Sequence, residues 1–204
     1  MQPIRIIDYG MGNLLSVQKA LEALGFPAVI TDKPEEVQAA PGVILPGVGA
    51  FGDAMAALKK CGMQEAIEEV CRRGTPFLGI CLGMQLLFEQ SEEGGLNPGL
   101  SLLKGQVKRL PAGVKVPHMG WNQVSFCRPS PLFKGLPEGS FFYFVHSYHV
   151  VAGEPEMVVA ETEYGGRVVA AVQMENIFGV QFHPEKSSTL GLKVLGNFGE
   201  MVYR

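Results

Sequence analysis

The segment Gly79-Ile80-Cys81-Leu82-Gly83 sets a cysteine between two glycines, where the apolar run Pro76–Ile80 gives way to a helical pattern. A tight strand-to-helix turn strains its central residue and exposes that side chain. This is the pattern of a nucleophile elbow, with cysteine where hydrolases often carry serine. Small flanking residues avoid clashes around the turn. The N–H groups that open the helix favour a thiolate and a developing oxyanion. A lone cysteine is more often a buried core residue; the paired glycines at this junction favour a nucleophile.

Such a nucleophile needs a base. The four histidines are His118, His146, His149 and His183. His183 lies in Gly179-Val180-Gln181-Phe182-His183-Pro184-Glu185, just beyond an apolar strand that Pro184 stops. Glu185, two residues on, can turn its carboxylate back to one ring nitrogen, fix the tautomer and leave the other nitrogen for the thiol. Cysteine, histidine and glutamate together supply the parts of a triad. A third element, Leu45-Pro46-Gly47-Val48-Gly49-Ala50-Phe51, follows a strand at the end where α/β sheets bind ligands. Its glycines let the backbone approach a substrate and turn N–H groups inward, which suits an oxyanion donor. An ordinary strand-to-helix turn has the same spacing.

These pieces need a sheet to hold them. Strands are expected at 4–8, 28–31, 42–45 (stopped by Pro46-Gly47) and 76–80. Helices are expected at 13–24 (capped by Asn13, ended by Gly25), 51–60, 64–72 and 82–90. Strands alternating with helices imply a parallel sheet covered on both faces. The segment 94–99 reads as loop. From about 104 to 182 the texture changes to short β-branched and aromatic strands at 106–109, 123–126, 141–145, 157–162, 167–174 and 177–182, expected to pair mostly antiparallel. A helix closes the chain at 188–203. No repeat or linker interrupts residues 1–204, so one domain is expected.

Composition narrows the classes. The 204 residues carry 17 basic and 20 acidic side chains, a net charge of −3, which argues against general nucleic-acid binding. Hydrophobic residues make up 47% and charged ones only 18%, a globular composition that also hints at a surface covered by a partner. No apolar run approaches the ~20 residues that span a bilayer, and the N-terminus has no secretory core. The cysteines at 61, 71, 81 and 127 form no CxxC pair and match no zinc module, so no metal is expected, and a reducing, cytoplasmic setting fits best.

The elbow with Met84-Gln85 and the segment Phe182-His183-Pro184-Glu185 resemble the class I (triad) glutamine amidotransferases, with no departure at the triad. Three further stretches narrow the resemblance: Ile7-Asp8-Tyr9-Gly10-Met11-Gly12-Asn13-Leu14, Pro117-His118-Met119-Gly120-Trp121-Asn122 and Val145-His146-Ser147-Tyr148. They are similar to the glutaminase subunits of imidazole glycerol phosphate synthases over essentially the whole chain. The resemblance implies a flavodoxin-like α/β fold: a central, mostly parallel sheet flanked by helices, with antiparallel strands in the second half. It implies that Cys81 attacks the glutamine amide, that His183 moves the protons and that Glu185 orients His183. The resemblance further implies that the N–H of Leu82, with one from Val48-Gly49, makes the oxyanion hole, that Gln85 and Glu93 hold the substrate's α-amino end, helped by His146, Ser147 and Tyr148, and that no cofactor is needed. The remaining histidines, His118, His146 and His149, are expected to serve structure more than catalysis.

The resemblance also implies a partner, a (β/α)₈-barrel cyclase subunit that receives the ammonia in a heterodimer. Asn13, Met119, Trp121 and Lys186 are expected to face it. Trp121, the single tryptophan, suits an interface anchor, though a core aromatic has the same sequence appearance. Rival readings are a glutaminase for another synthase (the anthranilate type shares the elbow), a non-catalytic interaction subunit, and a cysteine peptidase or small-thiol hydrolase.

Overall fold

The computed structural model describes residues 1–204. The apolar run at the N-terminus forms β1 (Ile4–Ile7), in which Ile4, Ile6 and Ile7 are fully buried. Helix α1 (Leu14–Ala23) buries Val17, Ala20 and Leu21, one stripe at helical spacing. The N–H of Phe26 closes its C-terminal end on Leu21 O at 3.0 Å, across Gly25. Asn13, expected to cap this helix, makes no capping bond; its amide donates to Glu185 Oε1 at 3.3 Å instead.

Next come β2 (Ala28–Thr31), a short helix α2 (Pro34–Gln38) and β3 (Val43–Gly47). Helix α2 lies outside the sequence expectations, since its five residues are too few to show a period; Pro34 and two acidic residues in the first turn start it. Strand β3 does not stop at Pro46. It runs through to Gly47, because its ladder to β1 covers only Val43 and Ile44 and Pro46 owes no N–H to that side. Helices α3 (Phe51–Lys60) and α4 (Met63–Arg72) follow, then β4 (Phe77–Cys81).

The helix expected over 82–90 is only α5 (Leu82–Gln85), and the chain then enters strand β5 (Phe88–Ser91). Leu86, Leu87 and Phe88 are buried on all sides, and such a run carries no period to tell helix from strand. Backbone bonds from Leu100 N to Leu86 O (2.8 Å) and from Leu103 N to Leu87 O (2.9 Å) decide it. The two residues of β6 (Asn97–Pro98), expected as loop, pair with β5.

The second half contains β7 (Leu103–Arg109), β8 (His118–Phe126), β9 (Phe141–His146), β10 (Tyr148–Ala152), β11 (Val158–Glu163), β12 (Arg167–Met174), β13 (Ile177–Val180) and α6 (Ser188–Val202). Strand β10 is a further addition to the expected set; it pairs with β7 from Tyr148↔Arg109 to Ala152↔Gly105. Nine strands form one sheet in the order β2-β1-β3-β4-β13-β12-β11-β8-β9, and β10-β7-β5-β6 form a second. The large sheet is parallel from β2 to β13 and antiparallel from β13 to β9. One core lies between the large sheet and helices α1 and α6, the other between it, helices α3 and α4, and the small sheet.

Parallel pairing aligns strand ends. Gly47 stands opposite Cys81, and Val180 opposite Ile80. The carboxyl ends of β3, β4 and β13 therefore deliver Gly47-Val48-Gly49, Cys81 and His183 to the same edge of the sheet, where such folds bind ligands. No helix is long and apolar enough to cross a membrane.

Candidate active site

Cys81 adopts φ +55°, ψ −112°, one of four non-glycine residues with positive φ. For a residue with a Cβ this conformation is strained, and the strain aims Sγ out of the strand, as expected of an elbow. The turn is tight enough that a Cβ on Gly83 would run into the carbonyl of Leu45. Cys81 is 6% exposed, and what surface it shows opens into a cavity.

His183 reaches the same cavity from the end of β13. Its backbone N–H donates to Tyr143 O (2.9 Å), and its carbonyl accepts from Ser187 Oγ (2.6 Å), so the loop before α6 is pinned to β9. A 3₁₀ turn at Pro184–Lys186 brings Glu185 back to the ring, and Nδ1 lies 2.9 Å from Glu185 Oε1. Both side chains are almost fully buried, at 2% and 1% exposure. Nε2 has no hydrogen-bond partner in the protein. Burial alone lowers the imidazole pKa. Interaction with the Cys81 sulfur and with Glu185 outweighs it and raises the value to about 9. His183 is thus held as the imidazolium at neutral pH, beside the Cys81 sulfur. The two-residue spacing and the proline signal this turn in the sequence; Asn13, the second donor to Glu185, carries no such signal.

Gln181 joins the site without having been expected there. It is fully buried, and its Nε2 donates towards Cys81 Sγ at 3.6 Å. Its Oε1 accepts from Gln85 Nε2 at 3.0 Å, and that same nitrogen donates to Tyr148 O at 2.8 Å. A glutamine inside an apolar strand end is the available signal, since a buried amide must find partners. Tyr9 is a second addition. Its hydroxyl donates to Pro46 O at 3.0 Å and holds the end of β3, and burial followed by the nearby Cys81 charge pushes its pKa up.

The cavity has a volume of about 330 Å³, at the small end for ligand sites and suited to a metabolite the size of an amino acid. Its walls include Cys81, His183, Val48, Gly49, Leu82, Gln85, Glu93, His146, Ser147 and Tyr148. Glu185 stands behind His183. Both N–H groups of Gln85 are used inside the protein, which leaves its Oε1 as an acceptor for a ligand. Glu93 accepts from Phe51 N through Oε2 (2.9 Å) and keeps its other oxygen free. Two acceptors on one wall suit an ammonium group. Lys186, expected at a partner surface, is exposed and also lines the cavity mouth.

Of the other histidines, His146 bonds Tyr148 O through Nδ1 (2.8 Å), and burial, followed by neighbouring histidine charges, lowers its pKa to about 3. His118 stacks between Tyr164 and Phe144, with ring centroids 3.8 and 4.8 Å away, and burial lowers its pKa to about 4. His149 Nδ1 is buried without a partner, and its pKa is lowered by burial.

Beside the cavity mouth, alternate residues of the β8–β9 hairpin form an outward face. Met119 pairs with Val145, Trp121 with Tyr143 and Gln123 with Phe141. Met119, Trp121 and Phe141 are 63%, 53% and 51% exposed, so Trp121 is not a core aromatic. Phe141, Tyr143 and Val145 do not stand out in the sequence because β9 reads as uniformly apolar.

The family model for class-I glutamine amidotransferases matches residues 5–201. The chain belongs to this family. Among curated amidotransferase relatives, the imidazole glycerol phosphate synthase subunit HisH of Moorella thermoacetica is 66% identical over 202 residues, covering 99% of this chain and 96% of that protein. The subunit of the same name from Aquifex aeolicus is 53% identical over 194 residues, covering 95% and 94%. Among solved structures, a glutamine amidotransferase superposes with a TM-score of 0.78 at 20% identity, covering 98% of this chain and 99% of that one. The PurLQS structure from Thermotoga maritima gives 0.75 at 21%, covering 100% and 98%. These structural likenesses carry the amidotransferase fold alone.

Proposed function

We propose that this amidotransferase is the glutaminase subunit of an imidazole glycerol phosphate synthase, hydrolysing L-glutamine to glutamate and ammonia for histidine biosynthesis. The observation that carries the reading is the buried His183–Glu185 pair beside an elbow cysteine, at a cavity whose wall offers the free acceptors of Gln85 and Glu93. The 66% identity to the Moorella subunit supports the choice of synthase.

In this reading the Cys81 thiolate attacks the side-chain amide carbon of glutamine. The carbonyl oxygen takes the negative charge and is met by N–H groups of Leu82 and of the Val48-Gly49 segment. The His183 imidazolium gives its proton to the amide nitrogen, the C–N bond breaks, and ammonia leaves a γ-glutamyl thioester on Cys81. His183, now neutral, takes a proton from water, which attacks the thioester. Glutamate departs and the imidazolium–thiolate pair is restored. Glu185 holds the imidazole and offsets its charge throughout. Gln85 and Glu93 take the α-ammonium group, with Ser147, Tyr148 and His146 closing that end.

Ammonia released into water at neutral pH is protonated and lost as a nucleophile. Transfer to a cyclase partner is therefore part of the proposal. The partner is a (β/α)₈-barrel subunit seated on Met119, Trp121, Asn13 and Lys186, joined by Phe141 and Tyr143. The cyclase forms imidazole glycerol phosphate and 5-aminoimidazole-4-carboxamide ribonucleotide. All four cysteines are unpaired, which supports a cytoplasmic, reducing location. Both sheets supply walls of one cavity, which supports a single domain over 1–204.

The test mixes the chain with a candidate cyclase and follows glutamate release with and without the cyclase's ligand. Ligand-stimulated hydrolysis is expected. Cys81→Ala abolishes it while ammonium salts still drive the cyclase. A variant retaining a tenth or more of the glutamine-dependent rate removes Cys81 from the role.

A further inference from the structure

The inner face of the β8–β9 hairpin carries an unbroken series of hydrogen bonds that the reaction above does not require. His118 and His146 stand opposite one another in the ladder, with His118 Nδ1 2.9 Å from His146 Nε2. Asn122 Nδ2 lies 3.2 Å from His118 Nε2 and 2.9 Å from Glu163 O. Asn122 Oδ1 accepts from Gln123 N at 2.8 Å, which fixes which end of the amide faces the ring.

The directions follow from chemistry. A carbonyl only accepts, so His146 Nδ1 carries the proton that bonds Tyr148 O. Neither ring has a carboxylate partner, and both are buried, which keeps them neutral. The Nε2 of His146 is therefore bare and accepts from His118 Nδ1–H, and His118 Nε2 is bare and accepts from Asn122. Each ring has a single tautomer consistent with its neighbours. Tyr148 O is the end point, and it also receives Gln85 Nε2–H, the amide linked through Gln181 to the Cys81 sulfur.

We propose that His118 and His146 are positioning residues: a relay running Asn122→His118→His146 clamps the Tyr148 carbonyl and so holds Gln85, and with it the glutamine-binding wall, in register with the outward face of the same hairpin. The proposal deepens the glutaminase reading and rests on it for the kinetic arm below. Residues alternate along β8. Met119 and Trp121 point out while His118 and Asn122 point in, so a partner pressing on the hairpin bears on the strand that carries the relay.

Two measurements on the full chain test this. In the first, the chain labelled with ¹⁵N-histidine is examined at pH 7 by two-bond ¹H–¹⁵N correlation. Both His118 and His146 are expected as neutral rings protonated at Nδ1. A cationic ring, or the opposite tautomer at either position, overturns the relay, and this result does not depend on glutaminase activity. In the second, the chain with its cyclase and the cyclase's ligand is assayed across glutamine concentrations. His118→Phe keeps the stack on Tyr164 and Phe144 but severs both bonds; His146→Ala removes the clamp. Each raises the glutamine KM about five- to tenfold, the range expected for one lost hydrogen bond, with kcat within about twofold. His146→Asn, whose amide N–H stands where Nδ1–H stood, recovers most of the affinity. Wild-type KM in His118→Phe and His146→Ala, or a lowered kcat at unchanged KM, overturns the proposal. Absence of glutamine hydrolysis by the unsubstituted complex overturns the functional reading instead, with the tautomer result still standing.

Discussion

Gly47 and Cys81 face each other across the ends of two parallel strands, β3 and β4. A Cβ placed on Gly47 would stand 2.6 Å from the Tyr9 hydroxyl, 2.9 Å from Gly83 N and 3.0 Å from Leu82 Cβ. The backbone that leads to Val48-Gly49 is packed directly against the elbow, with no room for a side chain. Movement of one shifts the other.

Gly47→Ala is therefore expected to push the elbow away from the Val48-Gly49 segment and spoil the alignment of oxyanion donors. Losing one such donor lowers kcat by about 10²–10³-fold. Steady-state kinetics of the complex should show that fall with the glutamine KM changed far less. A variant with wild-type kcat contradicts the arrangement.

Glu185→Gln leaves the size of the group unchanged and removes its charge. The His183 pKa, held near 9 in part by Glu185, then falls, and the imidazolium that supports the Cys81 sulfur loses population at neutral pH. A kcat loss of about 10²-fold is expected, at the lower end of the range for acid–base help, with His183→Asn losing more. Alkylation of Cys81 by iodoacetamide at pH 7 should slow in parallel. An unchanged alkylation rate argues against the pair.

Gln181 offers a graded series. Gln181→Met fills the same space but gives up the donor towards Sγ and the acceptor for Gln85. Gln181→Glu brings a carboxylate to the thiolate. The expected order of kcat is Gln, then Met about tenfold lower, then Glu lower again, because like charges in a buried site repel. Rates in the order Gln, Glu, Met would show that the contact does not act through the sulfur's charge.

Stability should decline on both sides of neutrality, for different reasons. Burial depresses His118 to about 4 and His146 to about 3, below the 6.5 of an unfolded histidine. The unfolded chain takes up these protons first, so this contribution is intact above pH 6.5 and is lost as pH falls towards 4. His183 is the opposite case. Its folded value of about 9 lies above 6.5, so its contribution is full below pH 6.5 and is lost as pH rises through 9. Calorimetry from pH 4 to 10 should show both limbs. His118→Phe should flatten the acid limb and His183→Asn the alkaline one; variants parallel to the wild type on both limbs contradict the assignment.

The parallel half is legible in the sequence because its strands are short apolar runs separated by amphipathic helices such as α4, with polar and buried residues in clean alternation. The elbow and the His-Pro-Glu turn are legible because each packs its chemistry into a few consecutive residues. The contacts that tie them together are not. Asn13 and Glu185 are 172 positions apart, and Gln181 and Cys81 are 100 apart. Their pairing depends on strand order, which local composition does not encode. Strand β5 reads as helix because Leu86, Leu87 and Phe88 are buried on every side. Strand β10 is hidden because it begins one residue after Ser147, with no turn residue to announce it.

Strand β13 is the last strand in the chain, yet it lies in the middle of the large sheet, between β4 and β12. Before residues 177–180 have been synthesised, β4 has an open edge and the two halves of the sheet have nothing to join them. Until the segment just beyond is made, Cys81 has neither Gln181 nor His183 beside it. Nucleophile and base thus meet only once residue 183 has been made, after the slow, long-range closure that such a topology imposes. A nascent or truncated chain has a thiol with no means to spend glutamine. The placement of one strand makes the onset of chemistry a checkpoint on the whole fold.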